Sequence, residues 1–150
     1  MEKTINHKIF VPHAPEEVWE YLTKPELIEL WLMKNDFQPT VGHQFRFTSR
    51  PLPAFDFDGN IYCTVMEVTP FTKLSYSWKG GPGDGRITLD SVVEWTLRPK
   101  DNGTELEIVH NGFKILENMM MFTAMNEGWL KNMNKIEGLI NTAKNATANA

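Results

Sequence analysis

A single cysteine, Cys63, stands in 150 residues, so no internal disulfide is available. No charged-then-apolar leader opens the chain, because residues 1–10 already alternate as a strand does. Together these absences predict a reducing, cytoplasmic setting. No apolar run approaches the roughly 20 residues that a membrane-crossing helix needs. Lysine and arginine are outnumbered, 15 against 19 acidic residues, and they are scattered, so the net charge of −4 leaves no footprint for a nucleic-acid backbone. The four histidines, at 7, 13, 43 and 110, have no paired spacing, and neither a metal site nor a resident cofactor is expected.

Other signatures are only half present. Gly80-Gly81-Pro82-Gly83-Asp84-Gly85 is rich in glycine, but no Lys-Ser/Thr follows and a strand comes next, so it reads as a hairpin loop rather than a phosphate cradle. Asp56-Phe57-Asp58-Gly59-Asn60 resembles part of a calcium loop without its closing glutamate, and a turn is the better account. Cys63 has no histidine near it in sequence, and Ser49, Ser75, Ser77 and Ser91 sit in no nucleophile elbow.

What remains is a pattern of periods, and its length suits one domain over residues 1–150. Thr4 to Val11 alternates as a first strand. Pro15-Glu16-Glu17 opens a short helix through Leu22, and Pro25-Glu26 opens another that carries Leu27, Leu30 and Trp31. From Val41 the period becomes two. Phe45 and Phe47 share a face, Ile61 to Val68 is strand-like on both faces, and Leu74, Tyr76 and Trp78 alternate with polar residues. From Arg86 to Arg98, Ile87, Leu89, Ser91, Val93, Trp95 and Leu97 share one face. Asp101-Asn102-Gly103 then predicts a tight hairpin into a last strand with Leu106, Ile108 and His110 inward. The pattern is an antiparallel sheet with one wet side.

A long helix follows. Met121, Phe122, Met125, Trp129, Met133, Ile136, Leu139 and Ile140 fall within an arc of about 120°, with Asn132 inside it, and the helix is expected to fray after Asn141. Flexible thioethers and flat rings are side chains that can line a cavity between helix and sheet.

Val11-Pro12, Pro15-Glu16-Glu17-Val18-Trp19, Leu22-Thr23-Lys24-Pro25-Glu26 and Trp31 resemble the opening of the START-like, or polyketide cyclase-like (SRPBCC), superfamily, in its Hsp90 ATPase activator C-terminal-domain-like branch. Val68-Thr69-Pro70, Leu74 to Trp78, Gly103-Thr104-Glu105-Leu106, His110-Asn111-Gly112-Phe113 and Gly128-Trp129 continue the order. The resemblance implies an α+β helix-grip fold: a curved antiparallel sheet wrapped around a long C-terminal helix, with two short helices after the first strand. It also implies a cavity that in various relatives holds lipids, polyketides, flavonoid-like aromatics or drugs. Two departures stand out. His43 replaces a glycine common in relatives, and the stretch from Arg50 to Phe57 is unusually rich in proline and aromatics near the expected cavity mouth.

Phe45, Phe47, Tyr76, Trp78, Trp95, Met121, Met125 and Trp129 are therefore either solid core or the lining of a pocket, and periodicity alone does not separate the two. Tyr76, Trp78, Trp95, His110 and Asn132 supply the polar handles that would orient a ligand. The leading expectation is a binder of a small hydrophobic, aromatic, polyketide-like or lipid-like molecule, without catalysis. Alternatives are a protein-partner module of the Hsp90 co-chaperone kind, and a cyclase or hydrolase working through His110 or an inward-facing Glu67. Asp90, Glu94, Glu105 and Glu107 are placed on the opposite face by parity.

Overall fold

In the computed structural model, which describes residues 2–55, 57–114 and 118–148, strand β1 (Glu2–Val11) leads into helices α1 (Pro15–Thr23) and α2 (Pro25–Ile28). Strands β2 (Lys34–Asn35), β3 (Gln44–Thr48), β4 (Asn60–Thr69), β5 (Lys73–Gly80), β6 (Leu89–Lys100) and β7 (Gly103–Lys114) follow, with one 3-10 turn at Pro53–Phe55, and α3 (Met119–Ala148) closes the order. The strands form one antiparallel, curved and unclosed sheet in the order β1-β7-β6-β5-β4-β3-β2. This is the α+β helix-grip architecture.

Alternation decides which side chains enter the core. Leu74, Tyr76 and Trp78 on β5, Leu89, Ser91, Val93, Trp95 and Leu97 on β6, and Leu106, Ile108 and His110 on β7 are all buried on the inner face. Glu105 and Glu107 stand on the outer face, where both meet Arg98 at 3.0 Å. Two bulges break the alternation. Gly112, with φ of 111°, is skipped in the pairing of β7 with β1, so the next residue, Phe113, turns inward and is buried. Met66 is skipped between β4 and β5, so Val65 faces the core while Met66 and Glu67 are both exposed.

The expected start of β6 at Arg86 is corrected to Leu89: Ile87 lies outside the strand and is 49% exposed. Val18 and Leu22 of α1, Ile28 of α2 and Trp31 plug one end of the sheet; α2 ends at Ile28, so Leu30 and Trp31, expected on it, lie in the turn that follows, where Leu30 is exposed. Trp31 donates from Nε1 to the Tyr21 carbonyl at 2.8 Å and lies edge-on to Trp95, 5.8 Å between ring centres.

The final helix does not end at Asn141. Its tail is pinned instead: His13 Nε2 meets Asn141 Oδ1 at 2.7 Å, and Lys144 meets Glu17 at 2.8 Å, a bond that holds the Glu17 carboxyl below its usual pKa. Trp129, Met133, Ile136 and Ile140 bury the C-terminal part of the expected arc. Met121, Phe122 and Met125, earlier on the same face, are only half-buried.

The β6–β7 turn departs from expectation in one useful way. The two residues with positive φ are Asp101 (46°) and Asn102 (63°), between the paired Lys100 and Gly103. Gly103 is required for another reason: a Cβ there would stand 2.5 Å from the Val11 carbonyl oxygen and 2.7 Å from the Phe10 ring. Gly103→Ala is expected to lower stability by about 1–3 kcal/mol through overpacking, while Asn102→Gly, at an angle glycine adopts freely, stays near wild type. Urea unfolding of the two variants checks the difference.

Candidate functional site

Between the first half of α3 and the inner face near the β5–β6 loop lies a cavity of about 410 Å³. Ile61, Trp78, Gly80 and Leu89 form its sheet wall. Its helix wall is Met119, Met120, Met121, Ala124, Met125, Gly128, Trp129 and Asn132. Leu32 and Met33 approach from the segment after α2. The proline-rich stretch supplies Leu52, Ala54, Phe55 and Phe57, held in a closed loop because the Leu52 and Phe57 backbones bond each other at 2.8 and 3.3 Å.

Five of the ten residues singled out by pattern meet here: Trp78, Met121, Met125, Trp129 and Asn132. Phe45, Phe47, Tyr76, Trp95 and His110 do not reach the cavity wall and belong to the packed core beside it. Their rings form a continuous cluster of edge-to-face and tilted contacts with Trp78 and Trp129. Phe45 lies 5.2 Å from Tyr76, Phe47 lies 5.2 Å from Trp78, and Trp95 lies 5.6 Å from Trp129. Alternation names the inner face of a strand but not the position along it where helix and sheet diverge, and this is why these five share a face with the wall without joining it. Met33, outside any periodic element, is hidden in the same way, whereas Leu52 and Phe55 belong to the Arg50-to-Phe57 stretch expected near the cavity mouth, and they line it. Gly128 was findable: a glycine one turn from Met125 in a helix interior is unfavourable unless space is needed there.

His110 is fully buried and both ring nitrogens are engaged. Trp129 Nε1–H donates to His110 Nδ1 at 3.0 Å, so Nδ1 carries no proton. The proton is then on Nε2, which donates to Ser91 Oγ at 2.8 Å, and Ser91 in turn donates to the Trp78 carbonyl at 2.7 Å. One neutral tautomer satisfies the whole chain. Burial pushes the imidazole pKa down from 6.5 to about 3, in agreement with a neutral ring. His110 therefore has no valence left for a ligand or a proton-transfer step. Its role is to tie α3 to β5, β6 and β7.

The remaining candidates have ordinary partners. Glu67 is exposed on the outer face, which removes it from any inward catalytic role. His43 bonds the Asp36 carbonyl at 3.1 Å and stacks on Phe45. His7, expected at the surface, is half-buried and meets the Asn126 carbonyl of α3 at 2.7 Å. Cys63 is buried, and burial raises its thiol pKa far above the usual range, leaving it inert. Asp58 caps the turn into β4 by accepting the Asn60 backbone N–H at 2.9 Å, while Asp56 of the calcium-loop-like fragment lies outside the described residues. Among the described residues, no helix is long and apolar enough to cross a membrane.

The family model for Activator of Hsp90 ATPase homolog 1-like protein matches residues 12–141. Protein MLL2253 from Mesorhizobium loti has a solved structure that is 36% identical, with a TM-score of 0.82, covering 93% of this chain and 98% of that one. Protein BH1534 from Bacillus halodurans is 28% identical with a TM-score of 0.71, covering 92% and 96%. CalU16 from Micromonospora echinospora, at 22% identity and a TM-score of 0.71, covers 93% and 76% and shares the fold. No curated protein matches this chain.

The engaged neutral histidine sets a pH dependence. Its folded pKa lies below its unfolded value, so the unfolded chain binds the extra proton first, and stability falls as pH drops below about 6.5 until about 3 is reached. The slope contributed is about 1.4 kcal/mol per pH unit. Urea midpoints at pH 7, 6 and 5 are expected to fall accordingly, and His110→Gln is expected to flatten the fall over the same window, even if it is less stable throughout. A wild-type midpoint constant from pH 7 to 5 would refute the buried neutral ring.

Proposed function

Given that this chain belongs to the Activator of Hsp90 ATPase homolog 1-like protein family, within the START-like (SRPBCC) superfamily, we propose that it binds a small, flat, hydrophobic molecule of aromatic, polyketide-like or lipid-like character between its sheet and α3. The observation that carries this reading is the cavity itself. Its volume of about 410 Å³ lies within the roughly 300–1,000 Å³ of small-molecule sites. Its wall combines soft thioethers of Met33, Met121 and Met125 with the indoles of Trp78 and Trp129, side chains that adapt to a ligand's outline and offer it broad apolar contact. A concave, lined space of this size favours a small molecule over a protein surface as its occupant.

Binding rather than turnover is the function we assign. The titratable groups that could have served catalysis are occupied or point away: His110 spends both nitrogens on the fold, and Glu67 faces solvent. Glu105 and Glu107 are held by Arg98 on the outer face.

Gly128 provides a test that leaves the core alone. A Cβ at this position meets no atom within 4 Å, and Gly128 lines the cavity, so a larger side chain grows into the space a ligand would take. Gly128→Leu is expected to fold at least as stably as wild type, because glycine in a helix interior costs about 0.5–1 kcal/mol relative to alanine. It should weaken binding of flat apolar compounds by about tenfold or more. Thermal melts and titration of a three-ring aromatic panel against tryptophan fluorescence measure both quantities. Undiminished binding in a well-folded Gly128→Leu would place the ligand elsewhere and overturn the reading.

A further inference from the structure

Five of the eight methionines line the cavity between sheet and α3: Met33, Met119, Met120, Met121 and Met125. They differ in what else can reach them. Met120 is 63% exposed and Met119 37%, so both stand at the cavity's opening, whereas Met33, Met121 and Met125 are half-buried on its wall. Two further methionines provide internal references. Met66 is 52% exposed at the β4 bulge and takes no part in the cavity wall. Met133 is fully buried in the sealed half of α3.

A thioether at such a place can be altered directly by a peroxide. Its sulfur attacks one peroxide oxygen; the O–O bond breaks as an S–O bond forms, the attacked hydroxyl passes its proton to the departing oxygen, and water leaves. Sulfur gives up two electrons and the peroxide gains two. No base, metal or charged neighbour is required, so exposure decides which sulfur reacts first. Cys63, the single thiol, is buried and held protonated, which removes it from competition. The product is polar. A sulfoxide oxygen is a hydrogen-bond acceptor that holds water, and an apolar molecule lying over it would leave that acceptor unpaired. The fold has little stake in these two side chains, since both are exposed and precede the anchor of Trp129 on His110.

Resting on the cavity reading above, we propose that Met119 and Met120 are a peroxide-sensitive modification site, at which conversion of the thioethers to sulfoxides lowers the cavity's affinity for its apolar occupant without unfolding the protein. The modification is one that methionine sulfoxide reductases reverse, so affinity returns when the thioethers do. A molecule seated in the cavity shields the sulfurs farther along its wall, Met121 and Met125, from the same oxidant.

The test uses hydrogen peroxide at a dose that converts Met119 and Met120, by peptide mass spectrometry, while Met133 stays a thioether. Phenanthrene, titrated against tryptophan fluorescence, reads the cavity. Wild type and Met66→Leu are each expected to lose affinity about five- to tenfold relative to their own untreated forms, and to regain it after treatment with the reductases. The double variant Met119→Leu/Met120→Leu is expected to change less than about twofold relative to its own untreated form. Melting midpoints of treated and untreated wild type should agree within about 2 °C. Saturating phenanthrene should slow oxidation of Met121 and Met125 and leave that of Met66 unchanged. Unaltered affinity with both sulfoxides formed, an equal loss in the double variant, or a loss accompanied by a collapsed melting midpoint would each overturn the modification site while leaving the cavity reading intact. Binding of phenanthrene without protection of Met121 and Met125, or no binding to untreated wild type, would overturn the cavity reading and the site with it.

Discussion

The hydrogen-bonded run from Trp129 through His110 and Ser91 to the Trp78 backbone is the constraint on which this molecule turns. It joins the long helix α3 to three neighbouring strands at one depth of the core. Each link fixes the next: the Trp129 donor selects the imidazole tautomer, the tautomer makes Nε2 a donor, and Ser91 is thereby turned toward β5. A polar chain in an apolar interior is favourable only when every member is satisfied, so the helix has one seat rather than several. Sliding α3 by a single residue would leave both an indole and an imidazole unpaired.

This anchor divides α3 into two working halves. Beyond Trp129 the apolar stripe of Met133, Ile136 and Ile140 is buried, and His13, Glu17 and Lys144 hold the tail against α1. Before Trp129 the same face carries half-exposed methionines, because the sheet curves away and the loop from Leu52 to Phe57 closes the side of the gap. The cavity is therefore a result of where the lock sits: firm packing on one side of Trp129 lets the other side remain open without loosening the fold.

Much of the architecture is legible in the chain because alternation and a helical arc are robust signals. Leu74-Tyr76-Trp78, Leu89 to Leu97 and Leu106-Ile108-His110 each enter the core in the expected phase. The departures come from places where one residue is skipped or where a turn uses unexpected positions. The bulge at Met66 sends Glu67 outward, and that at Gly112 sends Phe113 inward, and neither can be seen without the partner strand. Helix α3 continues through its polar tail because Asn141 and Lys144 find partners on a distant element, information that local composition lacks. For the site, the same limit applies with more force. Chain pattern separates inner from outer, whereas the line between wall and core runs along the inner face: Trp78 and Tyr76 share a strand and a side, yet only the former borders the cavity.

The division of α3 bears on how such a protein diverges. Residues that secure the helix, and residues that touch what the cavity holds, occupy successive turns of one element but answer to different demands. Met120 is 63% exposed and Met119 37%, so exchanges there disturb little of what keeps the chain folded. Chemical preference is thus free to drift over generations at the open end, while the sealed end preserves the shape that makes any preference possible.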